Sequence, residues 1–199
     1  TNDCDVLIAI GMRFDDRVTG RLDKYAKQAK VVHLDIDPAE IDKNVQTTVA
    51  VWGDCKETLP QLTELIDKKE HTDWLEQFRT LEKEEIKEVI QNELHPTGDV
   101  LTMGEVVHLL NELTGGDAII TTDVGQHQMV ACRYAKFNQS KSNVTSGGLG
   151  TMGFGLPAAI GAWYGAPHRD VIAIIGDGGF QMTLQELGTI MQFGAKVKI

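Results

Sequence analysis

Short apolar runs alternate with longer polar stretches through residues 1–68 of the chain. Each run is only a few residues long and almost wholly apolar, which is typical of strands buried in a parallel sheet. The predicted strands are 6–10, 31–36 and 49–51. The polar stretches after them are long enough for crossover helices, and the last has apolar positions on one side. The predicted helices are 21–30, 38–45 and 57–67.

The pattern changes between residues 70 and 94, where dense charge is interrupted at intervals by large apolar side chains. This spacing predicts one long connecting helix, and Pro96 and Gly98 mark its end. A second alternation follows, with predicted helices at 104–113 and 184–193 and predicted strands at 119–122, 171–175 and 195–199. The predicted fold class is therefore α/β, with two partial or complete parallel-sheet domains joined by a helical linker. The predicted boundaries are 1–68, 69–97 and 98–199.

Composition narrows the classes of function. The 199 residues carry 29 acidic and 19 basic side chains, and a net charge of −10 argues against a protein that binds nucleic acid through its phosphates. No apolar run approaches the roughly 20 residues of a membrane helix, so we expect no membrane partner. Cys4, Cys55 and Cys132 are odd in number and widely spaced. They predict reduced thiols and a cytoplasmic location.

Both ends of the chain suggest a piece of a longer protein. Thr1 is not an initiator methionine, and the first predicted strand begins almost immediately after it. The run at 195–199 reads as a strand interrupted in mid-course. We therefore expect further sequence on both sides.

The first chemical signal is the strand-like run 171–175 followed by Gly176, Asp177, Gly178 and Gly179. Ligands of α/β folds bind beyond the carboxyl ends of parallel strands, where these residues are expected to lie. Glycines allow the backbone to approach a phosphate closely. A carboxylate such as that of Asp177 suits Mg²⁺. Taken alone, the motif could equally be a simple turn between a strand and a helix.

Two further segments support a cofactor loop. Thr122 ends a predicted strand and is followed by Gly125, Gln126 and His127, which offer a flexible backbone and two side chains able to bind an anion. The run 146–161 contains six glycines in sixteen residues, a costly composition unless the backbone bends sharply or contacts a ligand. These patterns predict three loops converging on one crevice.

Taken together, these motifs resemble the acetohydroxyacid synthase (acetolactate synthase) branch of the thiamine diphosphate enzymes. The segments concerned are 124–129, 147–161 and 176–187, together with 11–20, 35–41 and 53–54, which resemble the flavin-binding middle domain of that branch. The family often has tryptophan where Val130 stands and serine where Gly179 stands. The resemblance implies that 1–68 is the later half of the flavin domain and 98–199 the first part of the thiamine diphosphate domain.

The resemblance also implies roles for residues of the second domain. Gln126 and His127 would contact the diphosphate, with Val124 and Gly125 shaping their loop. The Gly150 carbonyl would accept a hydrogen bond from the aminopyrimidine, and Met152 would be the apolar wedge beneath the cofactor. Asp177 would hold Mg²⁺, with Gly176, Gly178 and Gly179 around the diphosphate. On its residue type alone, Met152 is more readily a core side chain, but its place inside the glycine run favours the cofactor role. The alternative for His127 is an exposed loop residue that makes no contact, and the diphosphate role is favoured over it.

On the flavin side, the resemblance implies that FAD is contacted by Gly11, Arg13, Asp15, Arg17, Val18, Asp35, Ile36 and Asp54. An acidic residue at a strand end can accept hydrogen bonds from ribose hydroxyls, which is the role expected of Asp35. Its alternative role is helix capping, for which Asp37 is the better candidate. Arg13 and Arg17 have an alternative role as partners of Asp15 and Asp16 in surface ion pairs.

The activity implied is decarboxylation of pyruvate and carboligation to a second 2-ketoacid, the first common step of branched-chain amino acid synthesis. The implied cofactors are thiamine diphosphate, Mg²⁺ and FAD. The glutamate that acts on the aminopyrimidine would lie outside this chain, so no catalytic residue is assigned within it and the chain alone is predicted to be inactive. A homodimer or tetramer and a small regulatory subunit are the implied protein partners.

Two alternative functions remain open from the sequence. One is another thiamine enzyme of the same architecture, such as a glyoxylate carboligase or a pyruvate oxidase, and the Arg-Phe-Asp-Asp-Arg-Val-Thr run at 13–19 argues against it. The other is a nucleotide-binding module, or a metal-dependent transferase that uses Asp35 and Asp37 as a DxD site. Retention of thiamine or flavin would distinguish these classes.

Overall fold

The computed structural model describes all residues from Thr1 to Ile199. The chain divides into two compact units, Thr1–His71 and Thr72–Ile199. Each unit contains one sheet whose strands are all parallel. The predicted α/β class with two parallel sheets is therefore confirmed. The finer boundaries 1–68, 69–97 and 98–199 stay a prediction.

The first unit is a three-stranded sheet in the order β1-β2-β3. Its elements are β1 (Val6–Ile10), α1 (Asp16–Thr19), β2 (Lys30–Asp35), β3 (Val49–Trp52) and α2 (Cys55–Leu65). All three strands lie close to their predicted positions. Helix α2 begins two residues before the predicted start because the Asp54 side chain accepts a hydrogen bond from the Lys56 N–H and caps the helix there.

The two predicted crossover helices of this unit, 21–30 and 38–45, are wrong. Both connections are successions of turns. Ala26 and Asp42 adopt left-handed backbone angles, with φ of 46° and 59°, which a right-handed helix cannot contain. Polar composition and adequate length are shared by helices and by turn-rich connections, and the apolar pattern did not separate them.

The core of the first unit lies on one face of the sheet. Ala9 and Val31 pack there with Phe14, Tyr25 and Ala26, and the Phe14 ring meets the Tyr25 ring edge-on at 6.1 Å. The opposite face of β1 carries apolar side chains that remain nearly half exposed, namely Val6, Ile8 and Ile10. The prediction of a buried strand therefore holds for only one face of β1 in this structure, because an apolar run does not reveal which faces are covered.

The second unit begins with one continuous helical segment. It comprises α3 (Thr72–Glu85), a π-helical turn (Ile86–Ile90) and α4 (Gln91–Leu94). This is close to the predicted connecting helix 70–94. The elements that follow are α5 (Met103–Thr114), β4 (Ile119–Thr122), α6 (Gln126–Tyr134), β5 (Asn143–Thr145), α7 (Gly155–Gly165), β6 (Val171–Ile174), α8 (Asp177–Thr183), α9 (Glu186–Phe193) and β7 (Val197–Lys198).

The sheet of this unit has four strands in the order β5-β4-β6-β7. Helix α7 packs against β4 and β6, with Ala159 buried among Ile119, Val171 and Ala173. The predictions of β4, β6, α5 and the last helix are close, whereas β5, α6 and α7 were not predicted. Strand β5 has only three residues and α7 begins inside the glycine run, so neither presents a long apolar period. No helix combines the length and the apolar character needed to span a membrane.

Candidate cofactor site

The loop after β6 contains the predicted metal ligand. Strand β6 ends at Ile174, Gly176 remains extended, and Asp177 is the first residue of α8. The Asp177 side chain is exposed. A carboxyl group therefore stands at the carboxyl end of a central parallel strand, where α/β folds bind ligands.

His127 joins this loop to the loop after β4. A Cβ atom built on Gly125 would lie 3.0 Å from His127 Cε1, and one built on Gly176 would lie 3.1 Å from the same atom. Gly125 also has a φ of 150°, which side-chain-bearing residues rarely adopt. The His127 Nε2 atom is buried and has no hydrogen-bond partner in the structure. The two glycines thus leave room for the His127 imidazole between them, with one of its nitrogens unpaired.

The glycine run supplies the third loop, between β5 and α7. Gly150 has a left-handed φ of 62°, and a Cβ atom on it would lie 3.8 Å from Val124 Cγ2. The Met152 methyl carbon would lie 3.0 Å from a Cβ atom on Gly178. The structure therefore brings all three predicted loops together through Val124, Gly125, His127, Gly150, Met152, Gly176 and Gly178. Gln126 and Asp177 are the first residues of α6 and α8, next to these contacts, and Gly179 follows in α8.

A polar network that no sequence motif indicated connects the segments that carry these loops. Thr122 and Gln128 both donate to the Thr145 hydroxyl oxygen, each over 2.9 Å. This network links the end of β4, the first turn of α6 and the end of β5. Asp123 was also missed, although it directly follows a predicted strand, and its side chain is almost fully buried. For Asp123, the position directly after a predicted strand was the only available signal, and the Thr145 network had none because β5 was not predicted.

The residues present fit a diphosphate with Mg²⁺. The orphaned His127 nitrogen and the glycine-lined backbone suit an anion, and the exposed Asp177 carboxyl is a hard oxygen donor. No group of three His, Cys, Asp or Glu side chains is arranged for a metal. Mg²⁺ is commonly bound by one or two carboxylates together with ligand phosphates, so one protein carboxyl is consistent with a metal that arrives with its diphosphate.

The predicted flavin residues of the first unit also cluster at strand ends. Gly11 follows β1 with a left-handed φ of 59° and donates its N–H to the Leu34 carbonyl. Asp35 ends β2 and is buried, and it pairs in register with Trp52 at the end of β3. The Trp52 indole N–H donates to the Ile36 carbonyl over 3.0 Å. Gly11, Asp35, Ile36 and Asp54 therefore lie along the same edge of this sheet.

The two aspartates of the 35–37 segment serve local turns. Asp35 Oδ1 accepts from the Asp37 N–H over 2.8 Å, and Asp37 Oδ1 accepts from the Ala39 N–H over 2.9 Å. The predicted helix capping by Asp37 is wrong, because no helix follows it, and both carboxylates close local turns instead. Asp35 Oδ2 lies 3.6 Å from Nε2 of the buried His33. Its predicted contact with ribose stays a prediction.

Arg13 and Asp15 form the ion pair that was the alternative to a flavin contact. Arg13 Nε donates to Asp15 Oδ2 over 2.9 Å, and this bond holds the pKa of the Asp15 carboxyl below its usual range. Asp15 also caps α1 through the Arg17 N–H. Val18 and the Arg17 side chain are exposed. An exposed ion pair contributes little to stability, so the geometry leaves Arg13 available to a ligand.

Comparisons with known protein families match segments of both units of the chain. Residues 1–62 match the family model described as the central domain of thiamine pyrophosphate enzymes. Residues 123–199 match the model described as their C-terminal TPP binding domain. The first match covers the strand-end cluster of the first unit, and the second covers the three loops around His127.

Curated relatives cover almost the whole chain. Acetolactate synthase 1, chloroplastic, of Nicotiana tabacum is 47% identical over 197 residues, which are 98% of this chain and 29% of that protein. The acetolactate synthase large subunit of Lactococcus lactis is 44% identical, with 99% of this chain and 34% of the relative covered. Acetolactate synthase isozyme 2 large subunit of Escherichia coli is 43% identical, with the same shares covered.

The chain thus spans about a third of the length of the curated relatives it matches. The two family models account for its first unit and for most of the sheet-bearing part of its second. The chain therefore belongs to the thiamine pyrophosphate enzymes, and within them it is similar to the large subunits of acetolactate synthases.

Proposed function

We propose that the chain contributes the diphosphate- and Mg²⁺-binding part of an acetolactate synthase active site. The observation that carries this proposal is that Gly125 and Gly176, from two strand-end loops, lie against the His127 ring, whose Nε2 atom is unpaired, while the glycine-run loop approaches both of these loops at Val124 and Gly178. A diphosphate offers acceptors for such a nitrogen, and the Asp177 carboxyl supplies the oxygen that Mg²⁺ needs.

In this proposal, pyruvate is decarboxylated and its two-carbon unit is joined to a second 2-ketoacid. Thiamine diphosphate, when bound, supplies the electron sink for that chemistry. The chain's own residues bind and orient: Gln126 and His127 contact the diphosphate, and Asp177 holds the metal. The Gly150 carbonyl accepts a hydrogen bond from the aminopyrimidine, and Met152 supports the cofactor from its apolar side.

FAD belongs to the same proposal through the first unit. Gly11, Asp35 and Asp54 stand at the ends of three neighbouring strands, the usual place for a dinucleotide in an α/β sheet. Arg13, Asp15, Arg17 and Val18 lie on the segment that follows Gly11 and are the proposed contacts along the flavin chain. The flavin is proposed to be structural, because carboligation involves no net oxidation.

The proposed partners follow from the family. They are pyruvate and a second 2-ketoacid as substrates, further copies of the catalytic subunit in a homodimer or tetramer, and a small regulatory subunit. A cytoplasmic location is also proposed. It is supported by the three cysteines, Cys4, Cys55 and Cys132, which are all free thiols, as is usual in a reducing compartment.

Replacement of Asp177 tests the site directly. In the full-length subunit, Asp177→Ala is expected to abolish the Mg²⁺-dependent part of thiamine diphosphate binding, measured by calorimetric titration with and without Mg²⁺. The reason is that no second carboxyl in this loop can hold the metal against the diphosphate.

Asp170→Ala is the matched control. Asp170 precedes the opposite end of the same strand β6 and forms an exposed ion pair with Lys198. Its loss should leave the binding curve unchanged. Unaltered affinity and unaltered Mg²⁺ dependence in the Asp177→Ala protein would show that the metal assignment is wrong.

A further inference from the structure

Asp123 is a buried carboxyl group that is not among the predicted cofactor contacts. It follows the last residue of β4 and precedes the turn into α6, whose second residue is His127. Only 1% of its surface is exposed. Burial of a carboxyl is costly unless its oxygens find partners, so its surroundings indicate what the side chain does.

One carboxyl oxygen of Asp123 anchors the glycine run. Oδ1 accepts a hydrogen bond from the N–H of Gly155, the first residue of α7. The first N–H groups of a helix have no partner within the helix, so this bond satisfies one of them. A Cβ atom on Gly155 would lie 3.1 Å from the same oxygen. The bond therefore fixes where the loop bearing Gly150 and Met152 enters α7.

The other carboxyl oxygen of Asp123 lies against residues 176–179, the metal loop, which contains Asp177. A Cβ atom built on Gly179 would lie 1.7 Å from Asp123 Oδ2 and 2.7 Å from its Cγ. Oδ2 is buried and has no hydrogen-bond partner. Asp123 cannot swing away without breaking its bond to Gly155, so residue 179 must be a glycine for this packing to exist.

We propose that Asp123 is a positioning residue that fixes the metal loop and the glycine-run loop relative to each other. It thereby sets the affinity of the site for thiamine diphosphate and Mg²⁺. This inference rests on the proposed function. Asp123 touches backbone of both loops and sits at the base of the third, so one side chain determines the relative placement of Asp177, Met152 and His127. Residues that orient metal ligands commonly change affinity by about 10- to 100-fold when they are removed.

The packing predicts a specific coupling between Asp123 and Gly179. Gly179→Ala introduces a methyl group into the space of Oδ2, so the Asp123 side chain must move and the loops lose their register. In an Asp123→Ala background that space is empty, and the same methyl group can be accommodated. The two substitutions together should therefore be no worse than the more harmful one alone, whereas independent sites would add their effects.

The test uses the full-length subunit with Asp123→Ala, Asp123→Asn, Gly179→Ala and the double variant Asp123→Ala with Gly179→Ala. The dissociation constant for thiamine diphosphate is measured by calorimetry at saturating Mg²⁺, and folding is checked by thermal unfolding. Asp123→Ala and Gly179→Ala should each weaken binding about tenfold or more, as expected for an orienting side chain. Asp123→Asn keeps the acceptor for the Gly155 N–H and should restore affinity to within about threefold.

The outcomes separate the inference from the proposed function. If the parent protein shows no Mg²⁺-dependent binding, the proposed function fails. If the parent binds and the single variants bind equally well once folded, Asp123 only stabilises the fold and the inference is wrong. Additive losses in the double variant would also overturn it. Should Asp123→Ala not fold, the Asp123→Asn and Gly179→Ala proteins still decide the matter, because a tenfold loss in the first or unchanged affinity in the second contradicts the proposal.

Discussion

Asp42 shows how a single side chain shapes a connection that the apolar pattern mispredicted. Its backbone is left-handed, and its Oδ1 accepts from both the N–H and the hydroxyl of Thr47, over 2.7 and 2.8 Å. Asp is one of the few residues that tolerate this conformation, since it can satisfy neighbouring donors locally. These bonds close the turn between β2 and β3, where a helix was expected.

The same bonds give the turn a pH dependence. The N–H and hydroxyl of Thr47 lower the pKa of the Asp42 carboxyl in the folded chain. The charged form therefore stabilises the fold above the unfolded pKa of about 3.9, and this contribution is lost as the pH falls through the lower folded pKa. We predict that the chain unfolds at a higher temperature than its Asp42→Asn variant near neutral pH, and that the difference shrinks below about pH 4.

Thermal unfolding followed by circular dichroism between pH 7 and pH 3 measures that difference. Thr47→Val removes one donor and leaves the backbone N–H, so it should reduce the pH dependence without abolishing it. A difference between parent and Asp42→Asn that stays constant down to pH 3 would contradict the assignment.

Arg13 offers a second test at the residue scale, directed at the proposed flavin site. In the full-length subunit, Arg13→Ala is expected to lower the FAD content after dialysis, because the guanidinium is the cationic group nearest to Gly11 along the chain. Flavin absorbance per subunit is the measurement. Arg21→Ala is a closely matched control, since Arg21 also pairs with an aspartate two residues later, Asp23, and is likewise exposed. Equal flavin loss in both variants would argue against a specific contact.

Among the elements, the helical segment Thr72–Leu94 lies close to the predicted helix 70–94 and differs from it in its hydrogen-bond pattern. It is helical throughout, but residues Ile86–Ile90 form a π-helical turn, and the N–H of Gln91 reaches back to the Ile86 carbonyl. A π turn shifts the register of the helix faces by inserting a residue. Apolar periodicity detects the helix and is too coarse to show such a shift.

Arg169 connects segments of the second sheet at the start of its strands, whereas Asp123 lies at the end of a strand. Its guanidinium donates to the Asp117 carbonyl over 2.8 and 2.6 Å and to the Ser142 hydroxyl over 2.6 Å. These bonds connect the segments leading into β6, β4 and β5. The side chain is only 7% exposed, so solvent does not replace the bonds if they are lost.

We predict that Arg169→Lys lowers the free energy of unfolding by about 2 kcal/mol, because an ammonium cannot reproduce the planar fork of the guanidinium. Urea denaturation measures the change. Arg79→Lys is the control, since Arg79 forms an exposed pair with Glu76 on α3 and should change stability by less than about 0.5 kcal/mol. A similar small effect at both positions would show that the Arg169 network does not hold the strands together.

For the whole molecule, the prediction from sequence is that these 199 residues have no acetolactate-forming activity by themselves. The chain spans about a third of its relatives' length, and no catalytic acid or base is assigned within it. Asp177 and the glycine-run residues Leu149 and Met152 are exposed to solvent. Water in an active site weakens the electrostatic interactions there and permits side reactions of the intermediates.

Incubation of the chain with pyruvate, Mg²⁺, thiamine diphosphate and FAD, followed by an acetolactate assay, tests this prediction. The full-length subunit serves as the positive control. A missing acid or base alone typically lowers a rate by about 10² to 10⁴. Turnover by the chain within about tenfold of the control would therefore show that the division of catalytic roles is wrong.

The candidate site was largely predictable because its signal lies in short, local motifs. Glycine must stand where the backbone bends or approaches a ligand, as at Gly125 and Gly150, and Asp177 must follow a strand to reach the crevice. The family resemblance predicted Met152 as the apolar wedge beneath the cofactor, whereas its approach to Gly178 was not predicted. Asp123 was not predictable, because its role depends on Gly155 and Gly179, which lie 32 and 56 positions further along the chain.

The sequence by itself determined the α/β class, the central strands, the long helical segment and the place of the three loops proposed to bind the cofactor, since each depends on a local apolar period or on the conformational freedom of glycine. Tertiary structure alone decided that the crossovers of the first unit are turns, that one face of β1 stays exposed, and that Asp123 joins two loops. The physical reason is that burial and hydrogen-bond partners are set by residues distant in sequence, and no local pattern records which of them will meet.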